Sequence, residues 1–160
     1  MMRASWVAVL AFLGAPAAVA DTYTAHVVGI ADGDTITVID GQKQQHKIRL
    51  AGIDAPERAQ PFGQRSKQHL SELVFGKDAT LDCAKVDRYH REVCVVLIDG
   101  KDANLAQVEA GMAWWYRKYA REQTARQRAD YETAEDRARA AKQGLWVDTD
   151  PMPPWEWRHR

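Results

Sequence analysis

The sequence predicts an α+β fold: a small closed β-barrel of five strands, with one helix inserted among the strands and further helices after them. Three observations predict it. Short β-rich runs separated by Gly and Asp turn signals occupy most of the stretch from Tyr23 to Cys94. One segment of helical period interrupts those runs, and two more follow. The chain has 160 residues, 46% of them apolar, which suits one domain around a single core.

The first strand is Tyr23-Thr24-Ala25-His26-Val27-Val28, ended by Gly29. Asp32-Gly33-Asp34 is a turn signal, after which Thr35-Ile36-Thr37-Val38-Ile39 alternates in the manner of a half-buried strand. Asp40-Gly41 marks a tight hairpin turn, and the chain returns through Lys47 to Ile53. Leu70, Leu73 and Val74 give the inserted helix, Gly63 to Phe75, with Gly76 as its stop. Strands follow at Thr80 to Ala84 and at Val93 to Ile98, the second closed by Asp99-Gly100. A short helix is expected over Ala103 to Ala110, with Gly111 as its cap. A third is expected over Glu122 to Gln143, with a solvated face of Ala, Arg and Glu and a stop at Gly144. The prolines of Pro151-Met152-Pro153-Pro154-Trp155 exclude a helix there. The five-stranded OB-fold is the natural candidate for such a barrel, and it commonly binds oligonucleotides.

Residues 1–20 read as an export signal. Arg3 precedes an uncharged, mostly apolar run from Ala4 to Ala20, and Ala18-Val19-Ala20 is an A-x-A cleavage pattern. The alternative is an uncleaved anchor, for which the run is slightly short. The predicted organisation is a leader over 1–20, one domain over 21–147, and a Pro/Trp-containing tail over 148–160. The mature protein is expected to be exported to the periplasm or the medium, monomeric and without stable membrane association.

Lys and Arg balance Asp and Glu at 22 each, and the pI is about 7.0. Global basicity is thereby excluded as a means of holding a polyanion, so any phosphate site must be built locally from a few arginines. Export permits a disulfide, and the two cysteines, Cys83 and Cys94, flank Asp87-Arg88-Tyr89-His90-Arg91. A bridge would clamp that loop and contribute about 2–3 kcal/mol. Two buried thiols are the other reading. No Cys/His grouping has zinc spacing.

Asp34 and Asp54 stand at predicted strand ends, where carboxylates can hold a hard cation such as calcium together with backbone carbonyls and water. In isolation Asp32-Gly33-Asp34 and Asp54-Ala55-Pro56-Glu57 also read as plain turns. Arg49 lies between Ile48 and Leu50. It either faces solvent or turns a planar fork toward two phosphate oxygens. Arg91 offers a second fork, and Glu57 a carboxylate suited to general-base work near a bound water.

These motifs, taken in order, resemble the staphylococcal-nuclease-like (thermonuclease) family. The anchors are Asp32-Gly33-Asp34-Thr35; Arg49-Leu50-Ala51-Gly52-Ile53-Asp54-Ala55-Pro56-Glu57; Asp87-Arg88-Tyr89 with Arg91; Gly111-Met112-Ala113; and Gly144-Leu145-Trp146. The resemblance spans about Tyr23 to Trp146. It implies an OB-fold barrel with three helices and a calcium-dependent nuclease that cuts DNA and RNA, single strands favoured, leaving 3′-phosphates. It further implies that Asp34, Asp54 and the Ala55 carbonyl bind calcium. Arg49 and Arg91 would contact the scissile phosphate, and Glu57 would act on the attacking water. Arg88 and Tyr89 would meet a terminal nucleotide phosphate, and Tyr119 would lie near the base.

Four departures stand out. Ala55 replaces a threonine of the family's best-known member, which leaves the carbonyl but removes a hydroxyl. His90 replaces a glycine before Arg91, where a left-handed backbone would cost a side chain something. Arg117 replaces a tyrosine that packs on the nucleotide. The neutral pI contrasts with that member's basic charge and weakens expected nonspecific affinity for duplex DNA. Trp114-Trp115-Tyr116 can stack on bases or pack beneath a helix, and the Trp155-Glu156-Trp157 tail can dock or stay loose. The rival function is a nonhydrolytic nucleic-acid or protein-binding module that keeps the barrel without the catalytic set. A surface protein using the tail as its contact is a third reading.

Overall fold

A computed structural model describes residues 21–160. The leader expected over 1–20 lies outside the described residues. Alternating burial builds the barrel. Strand β1 (Asp21–Ile30) turns Ala25 and Val27 inward, and β2 (Thr35–Asp40) and β3 (Gln45–Leu50) add Ile36, Val38, Ile48 and Leu50. Strand β5 (Asp78–Val86) contributes Ala79 and Leu81, and β6 (Glu92–Ile98) contributes Cys94 and Val96. Removing one of the large aliphatics, for example by Ile48→Ala, would cost about 2–5 kcal/mol.

The strand order is β3-β2-β1-β5-β6, and a parallel pairing of β3 with β6 closes the sheet on itself. The fold is thus α+β, with a closed five-stranded OB-type barrel and packed helices. The closing contact sets Arg49 beside Val93 and Leu50 beside Cys94, so the strand carrying Arg49 is fixed to the one that follows Arg91. A register shift between Val27 and Gly29 bends β1 where it approaches the Asp32–Asp34 turn. Cys83 faces Cys94 across β5 and β6, and the two form a disulfide at the base of the Asp87–Arg91 hairpin.

Three smaller strands complete the sheets. β7 (Lys101–Asp102) pairs with β6, while β4 (Ile53–Asp54) pairs with β8 (Trp114–Trp115), placing Asp54 opposite Trp114. Helix α1 (Gly63–Val74) is inserted after β4, and α2 (Ala103–Glu109) starts at Asp102, whose side chain accepts from the Leu105 N–H. Helix α3 (Ala125–Ala140) is shorter at both ends than expected, because Thr124 and Gln127 form a reciprocal capping box that fixes its start. Two 3-10 segments, Arg117–Glu122 and Gly144–Val147, join these elements.

The tail corrects the sequence reading. Helix α4 (Pro154–Trp157) begins within the segment from which prolines were expected to exclude one, and it makes a fourth helix where three were expected. Proline interrupts a helix interior but suits the first position, where its missing N–H is not needed. Trp114 and Trp115 are each 6% exposed, which settles them as packing residues. Trp114, Ala138, Leu145 and Trp146 form a second apolar cluster, against which Phe62 and Trp155 pack.

Candidate active site

A groove of about 1400 Å³ runs across the barrel face between the Asp87–Arg91 hairpin and the β4–β8 pair. Asp34, Arg49, Asp54, Ala55, Glu57, Arg88, Tyr89, Arg91 and Tyr119 all line it. Every residue expected to bind metal, phosphate or nucleotide therefore opens into one space. Cys83 and Cys94 lie outside the lining and brace the hairpin from below.

The floor is acidic and buried. Asp34 ends the turn after β1, and its N–H donates to Asp32 Oδ1 at 3.0 Å. Gly33 is required in this turn, because a Cβ there would sit 1.8 Å from the Ser66 hydroxyl of α1. Gln107 of α2 reaches across to donate to the Gly33 carbonyl at 2.7 Å. The carboxylate of Asp34 accepts from the Ala55 N–H at 2.7 Å and from the Thr35 hydroxyl at 3.1 Å. Two of the expected metal-binding residues are thus joined directly.

Asp54 is 1% exposed, and burial raises its pKa above the usual carboxylate range against the pull of Arg158 and Arg49. Arg49 resolves the choice left open by its place between apolar residues. It turns inward, its Nη2 lying 3.0 Å from Asp54 Oδ1 and 3.2 Å from Asp34 Oδ2. Its Nη1 donates to the Leu50 carbonyl at 2.9 Å. Asp32 belongs to the same electrostatic unit: burial and the adjacent Asp34 push its carboxyl up to about 6.

Every side-chain hydrogen bond that Asp54 accepts comes from a guanidinium. The second donor was missed from the sequence. Arg158, just past α4, sends Nη2 to Asp54 Oδ2 at 2.7 Å and Nη1 to Asp54 Oδ1 at 3.2 Å. Its Nη1 also donates to Glu57 Oε1 at 2.7 Å. Two cations converging on buried oxygen donors fit the donor set expected for a hard metal ion. Among the described residues, the one group of three His, Cys, Asp or Glu side chains whose ligand atoms all lie within 4.8 Å of one another is Cys83, Glu92 and Cys94, whose sulfurs are joined to each other.

Glu57 sits on the loop before α1. Its N–H donates to Gln60 Oε1 at 3.0 Å, while Gln60 Nε2 donates to the Met152 carbonyl at 2.6 Å. Gly63 lets α1 start against this loop, since a Cβ there would lie 2.0 Å from the Glu57 carbonyl oxygen. Gln60 was also missed, and a lone glutamine in a polar loop carries no sequence signal for this role.

The rim is exposed and cationic. In the Asp87–Arg91 hairpin one aspartate organises everything: Asp87 Oδ1 accepts from the Tyr89 and Arg91 N–H groups at 2.8 and 3.0 Å. Asp87 Oδ2 holds Arg91 by Nε and Nη2, each at 2.8 Å. Burial alone would raise the Asp87 carboxyl, but these bonds outweigh it and the pKa falls below the usual value. His90 adopts φ +60, the left-handed conformation expected to cost a non-glycine residue, and the Asp87 bonds hold it there. Tyr89 is 61% exposed, with the Arg88 and Arg91 guanidiniums 4.9 and 5.2 Å from its ring centre. Tyr119 lies on the opposite wall, edge-on to Tyr116 at 5.1 Å and beneath the Lys85 ammonium at 4.8 Å.

Arg117, which stands in place of an expected nucleotide-packing tyrosine, is drawn to α3. It donates to Glu135 Oε2 at 2.6 Å and covers the Trp115 ring at 4.3 Å. Glu135 is fully buried and also accepts from the Trp115 N–H at 3.1 Å, so it helps hold the strand paired with Asp54.

Residues 47–148 match the profile of a family described as staphylococcal nuclease homologue. The chain belongs to the staphylococcal nuclease family. The matched span takes in Arg49, the hairpin, helices α1 to α3 and the Gly144–Val147 turn. Among curated relatives, an uncharacterized endonuclease of Haemophilus influenzae is 42% identical over 137 residues, covering 86% of this chain and 74% of its own. An uncharacterized endonuclease of Escherichia coli O157:H7 is 42% identical over 135 residues, 84% of each chain. A micrococcal nuclease of Shigella flexneri is 39% identical over 166 residues, covering 98% of this chain and 91% of its own. Staphylococcal-nuclease-type proteins are generally metal-dependent, in keeping with the acidic floor.

Proposed function

We propose that the protein is an exported, monomeric, calcium-dependent endonuclease that hydrolyses phosphodiester bonds of DNA and RNA, single strands favoured, and leaves 3′-phosphate ends. The observation that carries this reading is the convergence of two buried aspartates, two arginines and a glutamate on one groove. Family membership and the nuclease names of the relatives support the reaction class.

Asp34, Asp54 and the Ala55 carbonyl would hold the ion, which when bound would supply positive charge to a phosphate oxygen and lower the pKa of a water. Glu57, at the mouth of the acidic floor, accepts a proton from the attacking water or orients it. Arg49, already inside the floor, donates to oxygens of the scissile phosphate as charge builds there. Asp87 grips Arg91 along its Nε–Nη2 edge, which steadies the guanidinium with its other edge available to phosphate. Arg88 and Tyr89 hold the next phosphate along the strand, and Tyr119 offers a face to a base.

Incubation of the mature protein with single-stranded DNA and with RNA, in calcium, in magnesium and in a calcium chelator, tests this. Cleavage with calcium alone, giving 3′-phosphate ends, is the expected result. Binding without cleavage in every metal would favour the nonhydrolytic module. Cleavage that persists in the chelator would overturn the calcium mechanism.

A further inference from the structure

The tail does more than cover an apolar patch. Trp155 stacks on Tyr116 at 5.2 Å with the rings 10° apart, and meets Trp114 edge-on at 5.5 Å. Pro154 is buried, and the Met152 carbonyl is tied to Gln60, the residue that also accepts from the Glu57 N–H. The docking of α4 is therefore built into the loop that carries Glu57. It delivers Arg158 to the two acids that end the Asp54-Ala55-Pro56-Glu57 stretch, with three hydrogen bonds of 2.7 to 3.2 Å. These bonds raise the Arg158 pKa further above its usual value, against a smaller opposing effect of burial, so the guanidinium is charged at every working pH.

We infer that Arg158 is an intramolecular stopper: its guanidinium occupies the cation-holding face of Asp54 and the working carboxylate of Glu57, so that seating of that guanidinium and binding of a divalent cation exclude one another. The inference rests on the metal-binding reading of Asp54 given above. Asp54 Oδ2 accepts from Arg158 alone, at 2.7 Å, and a divalent ion coordinating that oxygen at about 2.3–2.6 Å would stand against the guanidinium, where repulsion in a partly buried site is large. Arg158 is 104 residues from Asp54 in sequence, so its arrival depends on the tail fold rather than on local chain geometry. Its side chain remains 41% exposed, which leaves a path by which it can swing out while Trp155 stays docked. The consequence is a site whose apparent cation affinity is reduced by the fraction of time the guanidinium is seated. A guanidinium seated nine-tenths of the time weakens the apparent Kd about tenfold.

Calorimetric titration of calcium into the mature protein, Arg158→Gln and Trp155→Ala at fixed ionic strength tests the stopper without reference to activity. Arg158→Gln is expected to bind calcium about tenfold more tightly than the unaltered protein, and Trp155→Ala, which loosens the tail, to tighten it by a smaller factor. Equal or weaker affinity in Arg158→Gln, with calcium bound by both proteins, would overturn the stopper and leave the metal site standing. Failure of all three proteins to bind calcium would overturn the metal reading and the stopper with it.

Discussion

The floor of the groove and its rim use the same residue types under opposite conditions. On the floor, Asp54 is 1% exposed and Arg49 reaches it from a strand locked on both sides by β2 and β6. On the rim, Arg91 meets Asp87 within one short hairpin, and Tyr89 beside it is 61% exposed. A buried carboxylate must be compensated at every moment, so each floor residue is both a chemical group and a structural one. The rim pair is itself partly exposed, 26% for Arg91 and 18% for Asp87, so it contributes less to stability than the floor pairs and leaves one guanidinium edge to the substrate.

Arg49→Ala should therefore produce the largest combined effect. Turnover should fall by about 10²–10³-fold, and unfolding free energy by about 3–5 kcal/mol, because Asp34 and Asp54 lose a shared cation. Denaturant unfolding alongside a cleavage assay measures both. Adding Asp54→Asn to that variant should recover part of the stability and none of the activity. Arg91→Ala sharpens the contrast. It should lose turnover on the same scale while unfolding within about 1 kcal/mol of the unaltered protein. Near-normal turnover in Arg91→Ala would remove it from the catalytic set.

A smaller effect separates the barrel seam from the groove. His46 of β3 bridges Asp40 Oδ2 at 2.9 Å and Glu92 Oε1 at 2.7 Å, with Tyr23 packed beside it at 5.6 Å. The hydrogen bond that His46 donates to Asp40 raises the His46 pKa, outweighing desolvation, and the same bond lowers that of Asp40. A raised histidine pKa contributes stability that is full below its unfolded value, about 6.5, and is lost as pH rises through the folded value. Thermal unfolding should show a lower Tm above that range, and His46→Gln should flatten the dependence.

The barrel was legible because each strand carries its own alternation and its own turn, and α1 its own period. The floor was legible for a related reason: Asp34, Arg49 and Asp54 sit in short motifs whose order is a resemblance in itself. What stayed hidden depends on contacts distant in sequence. Gln60, Gln107 and Glu135 position the site by reaching across 92, 74 and 20 residues, to Met152, Gly33 and Trp115 respectively, and nothing local marks them. Arg158 was hidden by the prolines before it, which were read as excluding a helix. In fact Pro154 starts one and Trp155 seats it against Trp114 and Tyr116. A Pro-Trp-x-Trp run after an apparently finished domain, with two aromatics needing cover, is the signal that could have revealed it.

The buried floor is the chemical centre of the proposed nuclease. The most direct test is the single-turnover cleavage rate of a short single-stranded DNA, at saturating enzyme and calcium, for the unaltered protein and for Asp54→Asn. The substitution keeps size and shape and removes the charge on which both guanidiniums converge. A fall of at least about 10²-fold with the fold intact is the predicted result. A rate within a few-fold of the unaltered protein would contradict it.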